Sequence, residues 1–311
     1  MDKHIEVIGI DHGWSNMKTV SQIFTTGVKE ITTEPAFFDN IVELDGTYYK
    51  VGGKRLEVRD TKVENDNFYL LTLAAVAKEL NRRGIRNSNV LLSVGLPLTR
   101  FGAEKQDFIN YLTRDKDVTF RFEKEKYNIR IARVSVFPQC YAAVADRIKM
   151  LPERSVIVDI GSWTIDIMPI RQYYPDESEC TTIPQGLIRC MREINEQCVR
   201  KIGQELDDNL MQEIMAGGKG KAPGKYMEII ECCLRGFVEK VYNILKEHGY
   251  NLDITPIVFV GGGAAVMKQY GNPTGANIQY IPDVRANAKG YEYLGKAYLA
   301  GNRKMVEAEV K

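Results

Sequence analysis

The sequence predicts an α/β protein of two related domains, on three observations. A short apolar strand runs into an aspartate-glycine turn twice, as Ile8-Gly9-Ile10-Asp11-His12-Gly13 and as Val156-Ile157-Val158-Asp159-Ile160-Gly161. Strand-like and helix-like segments alternate along the chain, the pattern of α/β layering. A third apolar strand, Ile257-Val258-Phe259-Val260, ends in Gly261-Gly262-Gly263. After a strand, glycine permits a tight turn that presents backbone N–H groups to a phosphate, and the carboxylate ahead of it can hold a hydrated divalent cation or a water. Two such turns suggest half-sites that face one phosphate chain with its metal, and the bare triple-glycine turn lets a flat base lie against backbone.

The order of elements follows from local signals. Residues 5–24 read as a hairpin, with the first aspartate turn at 11–18 and a return strand carrying Met17, Thr19 and Val20. Residues 32–59 are polar and turn-rich, like a small inserted subdomain. Helical spacing of Phe68, Leu71, Ala74, Ala75 and Leu80 predicts a helix over 67–83, which Gly84 can end. Residues 90–97 read as a buried strand leaving into a loop, and 129–137 alternate like another strand before Pro138. A helix is expected from Gln139, with Tyr141, Ala142, Ala145 and Ile148 on its packed face and Leu151-Pro152 as its stop. Residues 185–216 and 226–247 are helix-like, separated by a glycine- and lysine-rich break at 217–221 that reads as a mobile loop. A short strand at 278–281 and a helix over 286–300 follow, and the last ten residues look frayed. Domain I is therefore expected over 1–153, with its inserted subdomain at about 32–90. Domain II is expected over 154–284, with a helical insertion at about 187–250, and 285–311 as a helix returning to domain I.

Composition excludes several classes. With 311 residues, 44% of them apolar, the chain is long enough for two cores. Lys and Arg number 42 against 41 Asp and Glu, and a formal charge of +1 gives no support for gripping nucleic acid with the whole surface. The six cysteines, Cys140, Cys180, Cys190, Cys198, Cys232 and Cys233, contain no C-x-x-C spacing, so reduced thiols and a cytoplasmic location are expected. His4, His12 and His248 have no metal-ligand spacing. The N-terminus shows no secretory pattern, and the longest apolar stretch, at 70–77, is far short of the roughly 20 residues of a membrane helix.

The sharpest motif is Asp159-x-Gly161-x-x-Thr164-x-Asp166, which sets two carboxylates and a hydroxyl around one glycine turn; a hairpin whose aspartate caps its own turn is the plainer alternative. In the first copy, Asp11-x-Gly13-x-Ser15-Asn16-x-Lys18 supplies an acid, a hydroxyl, an amide and a cation that can pair with a phosphate as a point charge, unless Lys18 is simply solvated. The triple glycine is not a dinucleotide fingerprint, since Val266 stands where a third small residue belongs, and Gly220-Lys221 lacks the Ser or Thr of a P-loop. Trp14 and Trp163 occupy similar places in the two turns, where ordinary burial is expected.

With these three turns in this order, the chain resembles the actin-like ATPase superfamily, which also includes Hsp70 chaperones and sugar kinases. Residues 11–18 match its first phosphate motif, 159–166 its second, and Gly261 to Gly263 its adenosine motif. The nearest resemblance is to the ParM/StbA plasmid-segregating bacterial actins, on the Asp-x-Gly-x-Ser-Asn-x-Lys turn, Ser93-Val94-Gly95-Leu96-Pro97, Phe137-Pro138-Gln139 and Ala288-Lys289-Gly290-Tyr291. It implies an actin-like (ribonuclease H-like) fold with a nucleotide cleft between two α/β domains, ATP (or GTP) with Mg²⁺ as ligands, and head-to-tail filaments. It also implies an adaptor, ParR, that carries a centromere-like plasmid site, so that the chain itself contacts neither DNA nor membrane.

The same resemblance assigns roles. Water orientation falls to Gln139, where ParM-like proteins commonly carry glutamate; glutamine orients water but is a poor base, so slow, assembly-stimulated hydrolysis is expected. Asp159 aids the water and Asp11 holds the hydrated Mg²⁺, these two being the metal candidates. Gly13, Ser15, Asn16, Gly161, Ser162 and Thr164 donate to phosphates, with Lys18 as counter-charge and Asp166 beside them. Gly186 opens the next helix on the phosphate side. Gly261, Gly262 and Gly263 line the adenosine, with Glu231 and Arg235 as candidate ribose or base contacts. Two rivals share the fold: a small-molecule kinase in which Asp159 deprotonates a substrate hydroxyl, and a cytoskeletal scaffold without plasmid cargo.

Overall fold

The computed structural model describes residues 5–59, 61–217, 222–271 and 277–301. The expected mobile break at 217–221 and the frayed end at 302–311 lie wholly or largely outside the described residues. The chain forms two compact units, one of residues 1–146 with 287–311 and one of residues 147–286.

The first unit contains β1 (Ile5–His12), β2 (Asn16–Thr19), β3 (Ile23–Thr25), β4 (Val28–Ile31), β5 (Ile41–Leu44), β6 (Thr47–Val51), α1 (Asn67–Arg82), β7 (Asn87–Leu96), α2 (Leu98–Leu112), β8 (Asp117–Phe122) and β9 (Glu125–Pro138). All nine strands form one sheet in the order β3-β2-β1-β7-β9-β8-β5-β6-β4. The polar segment expected to form an inserted subdomain supplies β5 and β6, which extend this sheet through β8, with Val42 opposite Phe122. The apolar stretch at 70–77 is the buried heart of α1, a helix apolar nearly all round because it lies in the core of its unit.

Two sequence expectations fail here. The loop expected after Leu96 is instead the helix α2, capped by Pro97; only Phe108 and Leu112 are buried on it, too thin an apolar stripe to announce a helix. The helix expected from Gln139 is a run of turns with two short 3₁₀ segments, at Ala142–Val144 and Ile148–Met150. Cys140 adopts φ +69°, which no α-helix accommodates, and its N–H donates to Asn287 Oδ1 at 3.1 Å. The burial of Tyr141, Ala142, Ala145 and Ile148 is real, but packing achieves it without helical geometry.

The second unit contains β10 (Arg154–Ile160), β11 (Ile165–Arg171), β12 (Tyr174–Pro175), β13 (Thr181–Ile183), α3 (Leu187–Ile202), α4 (Asp208–Met215), α5 (Gly224–Glu247), β14 (Ile257–Val260), α6 (Gly262–Tyr270) and β15 (Ile278–Ile281). Its sheet runs β12-β11-β10-β14-β15, with β13 also on β11. In both units an antiparallel hairpin carries the aspartate turn, and its first strand pairs in parallel with a later one: β1 with β2 and β7, β10 with β11 and β14. The strand-turn duplication is thus a duplication of topology.

The last helix, α7 (Ala286–Leu299), belongs from Asn287 onward to the first unit. It packs at backbone distance. A Cβ at Gly290 would lie 1.8 Å from the carbonyl oxygen of Ala142, and one at Gly9 on β1 would lie 2.1 Å from that of Ala288. Glu292 accepts from the Gly9 amide at 3.4 Å and pairs with Arg83 at 3.0 Å.

Candidate functional site

In the first unit, strand pairing brings together residues that are far apart in sequence. Asp11 on β1 stands directly opposite Lys18 on β2, and Lys18 Nζ donates to Asp11 Oδ2 at 2.9 Å. β7 pairs with β1 on one side and β9 on the other, so the residues just past Ile10 and Val136 leave the same end of the sheet. There Gln139, held by its N–H on the Leu96 carbonyl at 2.8 Å, donates from Nε2 to Asp11 Oδ1 at 3.2 Å. Both oxygens of a buried carboxylate are thereby engaged. Burial alone raises the Asp11 carboxyl, but the Lys18 charge and hydrogen bond, with Lys62 and His12 beyond, outweigh it and hold it below the ordinary carboxylate range.

The turn between these strands is tied down from behind. Thr26 donates its hydroxyl to the Gly13 carbonyl at 2.6 Å and its N–H to the Ser15 carbonyl at 3.1 Å. A Cβ at Gly13 would lie 2.6 Å from the Asn16 carbonyl oxygen. Ser15 is buried, and its hydroxyl meets no partner among the described residues, although buried hydroxyls are almost always bonded. Asn16 opens β2 and is partly buried. Trp14 leans on the core with its ring 5.1 Å from that of Phe68, and the His12 ring lies 5.2 Å from Phe108. Sequence reasoning missed Thr26, and it missed Lys62, whose ammonium lies 6.0 Å from the Phe68 ring centre. Neither sits in a motif; Lys62 is related to the turn through Phe68, the ring on which Trp14 also packs.

In the second unit, Asp159 on β10 stands opposite Asp166 on β11, the register that pairs Asp11 with Lys18 in the first. Asp166 does not mimic the lysine. Its oxygens accept from Thr182 at 2.6 Å and from Thr164 at 3.1 Å, which fastens the hairpin to β13. The Gly161 N–H donates to the Thr164 carbonyl at 2.9 Å, closing the turn. The start of α3 is stitched to it: Gly186 N–H to Trp163, Leu187 to Gly161 and Ile188 to Ser162, at 2.8 to 3.1 Å. Gly186 is there because a Cβ would lie 2.6 Å from the Ser162 and Trp163 backbone. Trp163 packs on the core of its unit.

The triple glycine divides its work. Gly261 takes φ +81° as the cap of α6, and a Cβ on it would lie 2.6 Å from Asp159 Oδ1, so the second and third turns adjoin. Gly263 lets α6 rest on Ile160, 2.1 Å from where its Cβ would be, and Gly262 sits nearest Val284. Glu231 and Arg235 are exposed on α5 and interact with Tyr270, at the opposite end of α6 from Gly261. The structure therefore gathers Asp159, Gly161, Ser162, Gly186 and the glycines, and leaves Glu231 and Arg235 apart from them.

Among the described residues no three His, Cys, Asp or Glu side chains cluster to hold a metal. Magnesium does not need such a cage, since it keeps most of its waters and takes one or two carboxylates beside substrate phosphates. The ionised Asp11 of the first unit and, taken by itself, the buried Asp159 of the second are each a carboxylate of the kind that chemistry uses. All six cysteines are free thiols, and burial pushes Cys190 and Cys180 up to about 12. Among the described residues no helix is long and apolar enough to cross a membrane.

Comparison with known proteins agrees with this fold. The family described as "Actin like proteins N terminal domain" matches residues 9–141, and that described as "Archaeal actin homologue MreB-like, C-terminal" matches residues 157–270. Among solved structures, the archaeal actin homolog Ta0583 superposes with a TM-score of 0.75 at 21% identity, over 94% of this chain and 99% of that one. ParM of Bacillus thuringiensis, solved with ATP, superposes with a TM-score of 0.72 at 16% identity, over 96% of this chain and all of that one. The Alp12 filament structure gives 0.67 at 17%, over 94% and 98%. No curated protein sequence matches the chain. Two family matches in sequence order, on an α/β fold whose two units repeat one hairpin topology, establish that the chain belongs to the actin-like superfamily.

Proposed function

We propose that the chain is a cytoplasmic, ATP-dependent filament protein that hydrolyses ATP slowly, faster once assembled, and moves plasmid copies through a ParR-like DNA-binding adaptor. The observation that carries nucleotide binding is the buried Ser15 hydroxyl with no partner among the described residues, set in a turn whose Asp11 is ion-paired and ionised. A phosphate oxygen is the acceptor that such a hydroxyl needs. Structures of relatives bound to ATP, ADP and AMPPNP support the same ligand class.

In this reading Gly13, Ser15, Asn16, Gly161, Ser162 and Thr164 donate to phosphates, Lys18 supplies counter-charge, and Gly261 to Gly263 lie along the adenosine. Thr164 must release Asp166 to donate, since its hydroxyl is engaged there. Asp11 and Asp159 would hold hydrated Mg²⁺, which when bound spreads charge off the phosphates. Gln139, oriented by its bond to Asp11, positions water with Asp159, and neither acts as a strong base. Filament growth rests on a heterologous contact that does not close, the kind that yields open polymers.

The test is calorimetry with ATP and with GTP in magnesium, followed by light scattering and electron microscopy with a non-hydrolysable analogue. Binding with polymers supports the reading. Binding without polymers, with phosphoryl transfer to sugars, would give the site to a kinase. Absence of heat on folded protein removes nucleotide binding altogether.

A further inference from the structure

We propose that Lys62 is a second phosphate-binding cation of the first turn, directed at the terminal phosphate, so that it distinguishes nucleoside triphosphate from diphosphate. The inference rests on the nucleotide reading above and deepens it.

Lys18 already pairs with Asp11 at 2.9 Å, so the counter-charge that it offers a ligand is shared with that carboxylate. A triphosphate needs cations beyond it. Lys62 is half-buried and forms no ion pair within 4 Å with any described residue. Its ammonium lies 6.0 Å from the centre of the Phe68 ring, the ring that also packs on Trp14 and His12 of the turn. The charged groups that it faces are Asp11 and Glu104, which favour its charge, and Lys18 and Arg100, which oppose it; Glu104 is itself committed to Arg100. Burial pulls its pKa to about 8, which leaves it mostly charged at neutral pH. The orphaned Ser15 hydroxyl is an independent sign that an acceptor belongs at this turn. A partly desolvated ammonium with no ion pair, on the ring against which the turn packs, and a hydroxyl of that turn in need of an acceptor are both matched by a phosphate, which a lysine meets as a point charge on a long stem.

The test compares ATP and ADP affinity, with magnesium, in the wild type, Lys62→Met and Lys62→Arg. Methionine keeps the stem, and thermal unfolding run alongside reports any loss of fold. The expected result is ATP affinity about tenfold weaker in Lys62→Met, ADP affinity changed less than about threefold, and ATP affinity largely restored in Lys62→Arg. Equal weakening for both nucleotides, or none for either, overturns the assignment while leaving nucleotide binding intact. No binding in the wild type overturns both.

Discussion

Asp11 and Lys18 are direct partners across the β1–β2 hairpin and are joined at 2.9 Å, with the carboxylate almost wholly buried and the ammonium about one-fifth exposed. The equivalent pair in the second unit is Asp159 and Asp166, two acids, one of them held by threonines. One topology thus carries opposite electrostatics in its two copies.

The pair makes a stability prediction. Lys18→Met leaves Asp11 with the Gln139 hydrogen bond and the more distant Lys62 charge, and should cost about 2–3 kcal/mol, because a buried charge that has lost its ion-pair partner is expensive. The double variant Asp11→Asn/Lys18→Met should recover part of that loss. Urea unfolding of all four proteins measures the coupling, and additive losses would show that the pair contributes nothing.

Gln139→Ala should retain nucleotide binding, prolong filaments and slow phosphate release, since it removes the amide that sits 3.2 Å from Asp11. Rates of phosphate release at equal polymer mass check this. Turnover at the wild-type rate would remove Gln139 from the mechanism.

Gly261→Ala forces a side chain into φ +81° and against Asp159 Oδ1, and should cost about 1–3 kcal/mol. Because it displaces Asp159, nucleotide affinity should fall as well, which calorimetry on the folded variant reads.

Glu79 sets an acid limit. Burial raises its carboxyl, but hydrogen bonds from Ser21 and Thr19 and the charge of Arg82 outweigh it, so its folded pKa lies below the ordinary 4.5. The stability that it contributes is complete above pH 4.5 and is lost as pH falls below that value toward the folded pKa. Glu79→Gln should therefore be less stable at pH 7, by about 1–3 kcal/mol, with a shallower decline between pH 5 and 3. Parallel pH profiles of the two unfolding curves would contradict this account.

The chain by itself determined what depends on local pattern. Apolar runs ending in Asp11 and Asp159 announce strands that stop at turns, Gly84 announces the end of α1, and the strand–glycine run at 257–263 announces the end of β14, though not the helix α6 that follows it. Such signals lie within one or two turns of backbone and need no partner to be read. Tertiary structure decided the rest, because it depends on neighbours that sequence spacing does not disclose. Gln139 reaches Asp11 across 128 residues only because β7 lies between their strands. The helix expected after Pro138 is absent because Cys140 turns left-handed and α7 presses Gly290 against Ala142. Lys62 joins the first turn through packing on Phe68, with no motif to mark it. Local sequence sets which conformations a segment prefers; which charges meet is settled by burial against distant chain, where long-range contacts outweigh those preferences.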